Sequence, residues 1–202
     1  IVLNQLDWAL DTAGYRFVRY ADDFIVLCQT RQQAQEALTF VSQKLEELGL
    51  RLSPEKTHIT TYGKGYEFLG FFLSSRSRRM RDKSVQKFKD TIRSLTQRHQ
   101  NLDAQVIVKL NRVIRGVANY FAPPFATTRT QLLKLDSWVR MRLRAMKFKR
   151  KNGRDRRRLR VRTICYKWGL LTLEEFCTVR DALGHVHRVV PRHGAIPPGV
   201  AR

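Results

Sequence analysis

Apolar and polar positions change period along the chain, and the changes divide it. The opening "IVLNQLDWAL" reads as an amphipathic helix already in progress. From Tyr15 to Cys28, the β-forming runs "YRFVRYA" and "FIVLC" flank Asp22 and Asp23, which predicts a hairpin with those two acids at its turn. Thr30 and Gln33 then form a capping box, Ala34, Ala37, Leu38, Val41, Leu45 and Leu48 recur at helical spacing, and Gly49 ends the helix. "LRLSPEKTHITTY" alternates around a Ser-Pro turn and predicts strands. "YEFLGFFLS", after the Gly63–Lys64–Gly65 turn, predicts another short strand pair.

After Ser84 the period becomes helical. Val85, Phe88, Ile92 and Leu95 line one helix. Val106, Leu110, Val113, Ile114 and Val117 line a second, capped by Asp103. Leu132, Leu135, Trp138, Val139, Leu143 and Met146 line a third, opened by Thr128 and Gln131, with Pro123 and Pro124 between the last two. These lengths suit a three-helix bundle. A short helix over Thr172–Leu183 and a disordered Pro- and Gly-rich tail, "VVPRHGAIPPGVAR", are expected beyond it, and no internal repeat is present. The fold class is therefore α+β, an antiparallel sheet covered by helices and then an all-α domain. The predicted division is 1–83, 84–150 and a basic extension over 151–202.

Charge sharpens the picture. The chain has 202 residues with 39 Lys and Arg against 17 Asp and Glu, a formal net charge of +22. Such an excess points to a polyanion, nucleic acid first. A membrane-surface role fits less well, since there is no long apolar run and no isolated amphipathic anchor. The run from Arg144 to Arg162 contains one acid, Asp155, and is expected not to bury itself: it is either a solvated linker or a polyanion contact. Three widely spaced cysteines, with no CxxC pair, argue against a disulfide framework and for a reducing cytoplasm. Cys165, Cys177, His185, His187 and His193 match the spacing of no zinc finger or knuckle. No positively charged leader precedes the first helix, and the start within an element leads us to expect the C-terminal part of a longer polypeptide.

Asp22 and Asp23 admit two readings. Adjacent acids at a hairpin tip serve ordinary turn chemistry, because Asp tolerates the backbone angles of tight turns. In so basic a chain they also suit the holding of cations against bound phosphates, as in a two-metal site with Mg²⁺ ions about 4 Å apart that activates a 3′-hydroxyl and neutralises a leaving pyrophosphate.

"YADDF" between strands, then "LGLRLSPEKT", "YEFLGF", "LNRVIRGVANYF" and "LDSWVRMRLR", in this order over roughly residues 1 to 150, resembles the group II intron-encoded reverse transcriptase/maturase family. "IVLNQLD" is similar to the segment after that family's template-contacting Pro-Gln-Gly motif. The resemblance implies the C-terminal part of a polymerase palm followed by a thumb or maturase helical domain, acting in RNA-directed DNA synthesis. It implies Mg²⁺ as cofactor, dNTPs, an RNA template or intron RNA and a DNA primer as partners, and an N-terminal half from elsewhere. Asp22 resembles the metal-binding acid of the YxDD box and Asp23 its less direct partner. Tyr20 and Ala21 stand where the box meets primer and nucleotide. Lys56 matches a lysine proposed to assist the leaving pyrophosphate, and Phe68, Leu69 and Gly70 resemble the primer grip.

The basic residues follow the same order. Arg76, Arg78, Arg79, Arg81 and Lys83 are expected on an exposed loop that carries affinity without sequence preference. Arg112, Arg115 and Asn119 lie on the second long helix, where Arg115 and Asn119, one turn apart, share a face, with Arg140, Arg142, Arg144 and Lys147 on the next and Arg154, Arg156, Arg157 and Arg158 beyond it. The family's third metal carboxylate is expected before residue 1, neither Asp7 nor Asp11 substitutes for it, and no HNH endonuclease signature is present. The resemblance leaves two alternatives: an RNA-binding splicing maturase without polymerase activity, and a domesticated relative in phage defence or CRISPR spacer acquisition.

Overall fold

The computed structural model describes residues 2–180 and 186–188. The chain divides into two compact units, Ile1–Leu69 and Gly70–Arg202. No helix among the described residues is long and apolar enough to cross a membrane. The predicted disordered tail lies outside the described residues.

In the first unit, helix α1 (Asn4–Thr12) buries Leu6 and Leu10, one turn apart. Strands β1 (Arg16–Tyr20) and β2 (Asp23–Leu27) pair antiparallel with Phe17 opposite Val26 and Arg19 opposite Phe24. Helix α2 (Arg31–Glu47) starts as predicted: the Thr30 side chain accepts from the Gln33 amide at 3.1 Å, and the Gln33 side chain accepts from the Gln29 amide at 2.8 Å. Gly49, with φ 70°, ends it, since the Leu50 amide reaches the Leu45 carbonyl and the Gly49 amide that of Glu46. The core gathers Leu6, Leu10, Val41 and Leu45, with Phe17, Phe24, Val26 and Phe40 packed against it. This uses one face of the hairpin. The other face, with Val18, Tyr20 and Leu27, is exposed, so helices cover one face of this sheet.

The alternation around the Ser-Pro turn does not become strands. Ser53 instead accepts amide hydrogen bonds from Lys56 and Thr57, and this turn leaves residues 50–60 irregular, without a ladder partner among the described residues. Strand β3 (Tyr66–Phe68) closes the first unit.

The second unit opens with β4 (Phe71–Leu73) paired antiparallel to β5 (Arg78–Met80). Part of the expected arginine loop is thus a strand. It is held because the Arg78 amide donates to Thr127 Oγ1 at 2.8 Å and the Gln131 side chain bonds both the amide and the carbonyl of Met80. Helices α3 (Asp82–Leu95), α4 (Ala104–Phe121) and α5 (Arg129–Lys147) follow. Asp103 caps α4 through the Val106 amide at 2.8 Å. Thr128 does not cap α5 with its side chain: its hydroxyl donates to the Phe121 carbonyl at 2.7 Å and satisfies the end of α4 instead.

The chain after α5 departs most from expectation. Helix α6 (Asp155–Arg158) is a single turn whose Asp155 is fully buried. Leu159, Ile164, Leu170, Leu173 and Cys177 enter the same core as Phe88, Ile92, Leu110, Ile114, Leu135 and Leu143. The basic run does bury part of itself, because apolar residues between its charges reach the bundle. In place of a helix over Thr172–Leu183 there is a 3-10 turn, Glu174–Phe176, followed by β6 (Thr178–Arg180), which pairs antiparallel with β7 (Val186–Arg188). Packing of Leu170, Leu173 and Cys177 fixes one turn, and the β-branched Thr178 and Val179 continue as strand.

Candidate active site and nucleic-acid interface

Tyr20 pairs with Asp23, so Ala21 and Asp22 form the turn and Asp23 is the first residue of β2. The turn lies one residue earlier than the sequence pattern predicts. Ala21 adopts φ 54°, a left-handed conformation that costs a non-glycine residue of order 1–2 kcal/mol. Arg19 supports it: the guanidinium donates to the Ala21 carbonyl at 2.8 Å and, through Nε, to Asp7 Oδ1 at 2.7 Å. Its second nitrogen pairs with the other Asp7 oxygen. Arg19 holds the Asp7 carboxyl below the ordinary carboxylate range. Asp7 is thereby committed to positioning the turn, and Arg19 is a site residue that the sequence pattern did not single out.

Asp22 and Asp23 are exposed, and none of the ion pairs among the described residues engages either. Tyr20 projects from the outer hairpin face, 65% exposed. Lys56 is exposed on the Ser53 turn, and no described hydrogen bond links it to the aspartates. Phe68 is half-buried at the end of β3. Leu69 and Gly70 both have positive φ, 47° and 80°. A Cβ on Gly70 would stand 3.3 Å from both Phe121 Cζ and Ser84 Oγ, so the backbone angle favours glycine and a side chain there would crowd both neighbours. Its carbonyl accepts from the Arg81 amide at 3.0 Å and from Ser84 Oγ at 3.1 Å.

The basic residues sort by surroundings. Arg76, Arg78 and Lys83 are exposed, and the Arg79 guanidinium lies over the Phe72 ring, 4.9 Å from its centroid. Arg81 is half-buried before α3. Arg112, Arg115 and Asn119 are exposed on one face of α4. On α5, Lys147 is exposed and Arg140 half-buried, but two arginines serve the fold. Arg142 donates to the Thr96 hydroxyl at 3.1 Å and carbonyl at 2.8 Å at the end of α3, and Arg144, 7% exposed, donates from Nε to the Leu159 carbonyl at 2.9 Å. On and beside α6, Arg154, Arg156, Arg157 and Arg158 are all exposed.

The sequence compares with two protein families in succession. Residues 1–73 match the reverse transcriptase (RNA-dependent DNA polymerase) family, and residues 85–164 match the group II intron, maturase-specific domain. The chain belongs to the group II intron reverse transcriptase/maturase family. No curated protein matches it.

Reverse transcriptases generally use Mg²⁺, and the hairpin of this reverse transcriptase/maturase offers two hard oxygen donors that no basic side chain neutralises. Carboxylate oxygens are the kind of ligand Mg²⁺ takes, and among the described residues no group of three or more His, Cys, Asp or Glu suited to a metal occurs. Burial pushes the Cys165 and Cys177 thiols up to about 11, so both are neutral at physiological pH.

In the maturase unit, two polar anchors, one half-buried and one buried, escaped the sequence pattern. Asn111, within the arginine-bearing stretch of α4, donates to the Gly169 carbonyl at 2.8 Å and accepts from the Leu171 amide at 2.9 Å. Asp136 accepts from the amides of Leu173 at 2.7 Å and Glu174 at 3.1 Å. Burial outweighs these bonds and pushes Asp136 up to about 7. A polar residue at a core-facing helical position is the signal that finds both.

Proposed function

We propose that the chain works in RNA-templated DNA synthesis, with Asp22 and Asp23 holding Mg²⁺ and the helical unit binding the nucleic acid. The observation that carries this reading is the Tyr20–Asp23 hairpin tip, where two adjacent carboxylates stay clear of cations in a protein of net charge +22. Bound Mg²⁺ supplies positive charge beside the oxygens that develop charge in nucleotidyl transfer. Tyr20 and Ala21 face primer and nucleotide, and Arg19 keeps the turn in place. Lys56 delivers a proton to the leaving pyrophosphate, and Phe68, Leu69 and Gly70 position the primer strand. Arg112, Arg115 and Asn119 follow the phosphate backbone of template RNA and DNA primer. Mg²⁺ takes several oxygen ligands, so Asp22 and Asp23 form one part of its ligand set. Free, largely neutral thiols suit a reducing cytoplasm.

A second reading, a splicing maturase that binds intron RNA without polymerising, is supported by the match of residues 85–164 to the group II intron, maturase-specific domain. Mn²⁺ titration followed by amide relaxation tests the metal reading on the chain by itself. The Tyr20–Phe24 amides are expected to broaden first, and Asp22→Asn with Asp23→Asn to abolish that. Broadening that starts elsewhere would sink it. Primer extension on an RNA template, with the N-terminal half supplied, tests the chemistry. Asp22→Ala is expected to remove extension by several orders of magnitude with RNA affinity retained, and Lys56→Ala to cost roughly 10²-fold.

A further inference from the structure

Four exposed arginines on and beside α6 look equivalent in sequence, but the structure separates them. Gly153, Arg154, Arg157 and Arg158 line an open cavity of about 430 Å³. Arg154, Arg157 and Arg158 are spaced i, i+3 and i+4, so one side of a single helical turn carries all three charges. Arg156 falls on another side, and its charge acts on Arg144 of α5. Gly153 has no atom within 4 Å of where a Cβ would stand, so its side of the cavity is open.

The turn is anchored from below. Asp155, the acid that would neutralise this cluster, is turned inward, fully buried, with Oδ1 paired to Arg150 at 3.1 Å. Asn152 Oδ1 accepts from the Arg154 amide at 2.9 Å, and the Asn152 carbonyl accepts from the Asp155 amide at 3.2 Å. Leu159, 6% exposed, plugs the core, and its carbonyl accepts a hydrogen bond from Nε of the buried Arg144. The backbone that presents the three guanidiniums is thus fixed before anything binds, which lowers the ordering cost of a ligand. Three like charges around one cavity repel each other unless an anion joins them, and guanidinium geometry suits phosphate oxygens.

We infer that Gly153, Arg154, Arg157 and Arg158 form a discrete phosphate site that takes one backbone phosphate of an RNA strand. The volume, near the lower end of the roughly 300–1,000 Å³ of small-molecule clefts, suits one nucleotide unit and not a length of duplex. The inference rests on the nucleic-acid-binding part of the proposed function and not on the metal, so its test is run in EDTA. A single site makes a distinctive statement about salt. Three arginines on three separate phosphates of a single strand would each contribute about 0.7 to the slope of log K against log salt, whereas three arginines on one phosphate contribute about 0.7 together.

Two measurements on the whole chain decide it. In the first, arginine Nε–Hε NMR signals are followed during titration with inorganic phosphate, with chloride at equal ionic strength as control. Arg154, Arg157 and Arg158 are expected to shift together and saturate, and Arg156 to stay. In the second, binding of a single-stranded RNA oligonucleotide is measured over a range of salt. The Arg154→Gln/Arg157→Gln/Arg158→Gln variant is expected to lose about 0.7 of slope, each single variant to lose little because two guanidiniums still neutralise the phosphate, and Arg156→Gln to lose none. Equal, unsaturated shifts of all four arginines would overturn the site. A triple-variant loss near 2, shared by Arg156→Gln in proportion, would show a linear basic run instead. Saturation by phosphate with an unchanged RNA slope would mean a site for free anions and would overturn the assignment to RNA.

Discussion

Replacing Asp136 with asparagine separates the two forces that act on this buried carboxylate. Its oxygens receive the Leu173 and Glu174 amides at 2.7 and 3.1 Å, which favours the anion, while burial at 3% exposure favours the neutral acid. Arg140 also draws its value down and Glu175 pushes it up, but burial is the largest influence and the result is about 7 against an ordinary 3.8. The folded protein therefore holds a proton between about pH 4 and 7 that the unfolded chain has released. The associated stability is fully present below pH 3.8 and is lost as pH rises through about 7, up to ~4 kcal/mol in all. Glu175, also raised by burial, acts in the same direction, and Asp7, lowered by Arg19, in the opposite one at lower pH. Asparagine cannot titrate and has the shape of the protonated acid, but its NH2 replaces one of the two accepting oxygens, which costs about 1.5 kcal/mol and offsets what the wild type has already lost by pH 5. At pH 5 the variant is expected within ~1 kcal/mol of the wild type, and at pH 8 to be more stable than it by ~2–3 kcal/mol. Urea unfolding at four pH values tests this, read from Trp138 and Trp168 in a Trp8→Phe background, since Trp8 is 75% exposed in the other unit. A variant that loses more stability at pH 8 than at pH 5 would refute the reasoning, because the two amides would then be holding the anion against burial.

Two further outcomes concern the anchors around the proposed sites. Gly70→Ala is expected to cost ~2 kcal/mol, from the left-handed backbone and the crowding against Phe121 and Ser84, and urea midpoints check it; a loss under ~0.5 kcal/mol would mean that the turn relaxes freely. Asn111→Ala strands the Gly169 carbonyl and the Leu171 amide, so a loss of ~2 kcal/mol and faster hydrogen exchange at Leu171 than at Leu110 are expected; unchanged Leu171 exchange would show that the segment is held by its apolar side chains alone.

Much of the architecture is set by local chemistry, which is why it is legible in the chain. Thr30 with Gln33, Gly49 and Asp103 act on backbone groups a few residues away, so the bounds of α2 and the start of α4 follow from spacing. The same holds for the YADD hairpin, to within one residue. The apolar positions of α3 and α5 need only the helical period, and the +22 charge needs only counting. What tertiary structure decided involves partners far apart in sequence. The YADD turn is placed by Arg19 and Asp7, twelve residues apart. Thr128 looks like a cap but serves the Phe121 carbonyl, and Gln131 looks like half of a capping box but holds Met80, fifty-one residues away. Arg142 and Arg144 read as part of a polyanion surface and turn inward to carbonyls at Thr96 and Leu159. Asp155 is one acid among arginines in the sequence and a buried anchor in the fold. In these cases a polar group that leaves water, wholly or in part, takes its partner wherever the fold supplies one, and no local pattern records which residue that is.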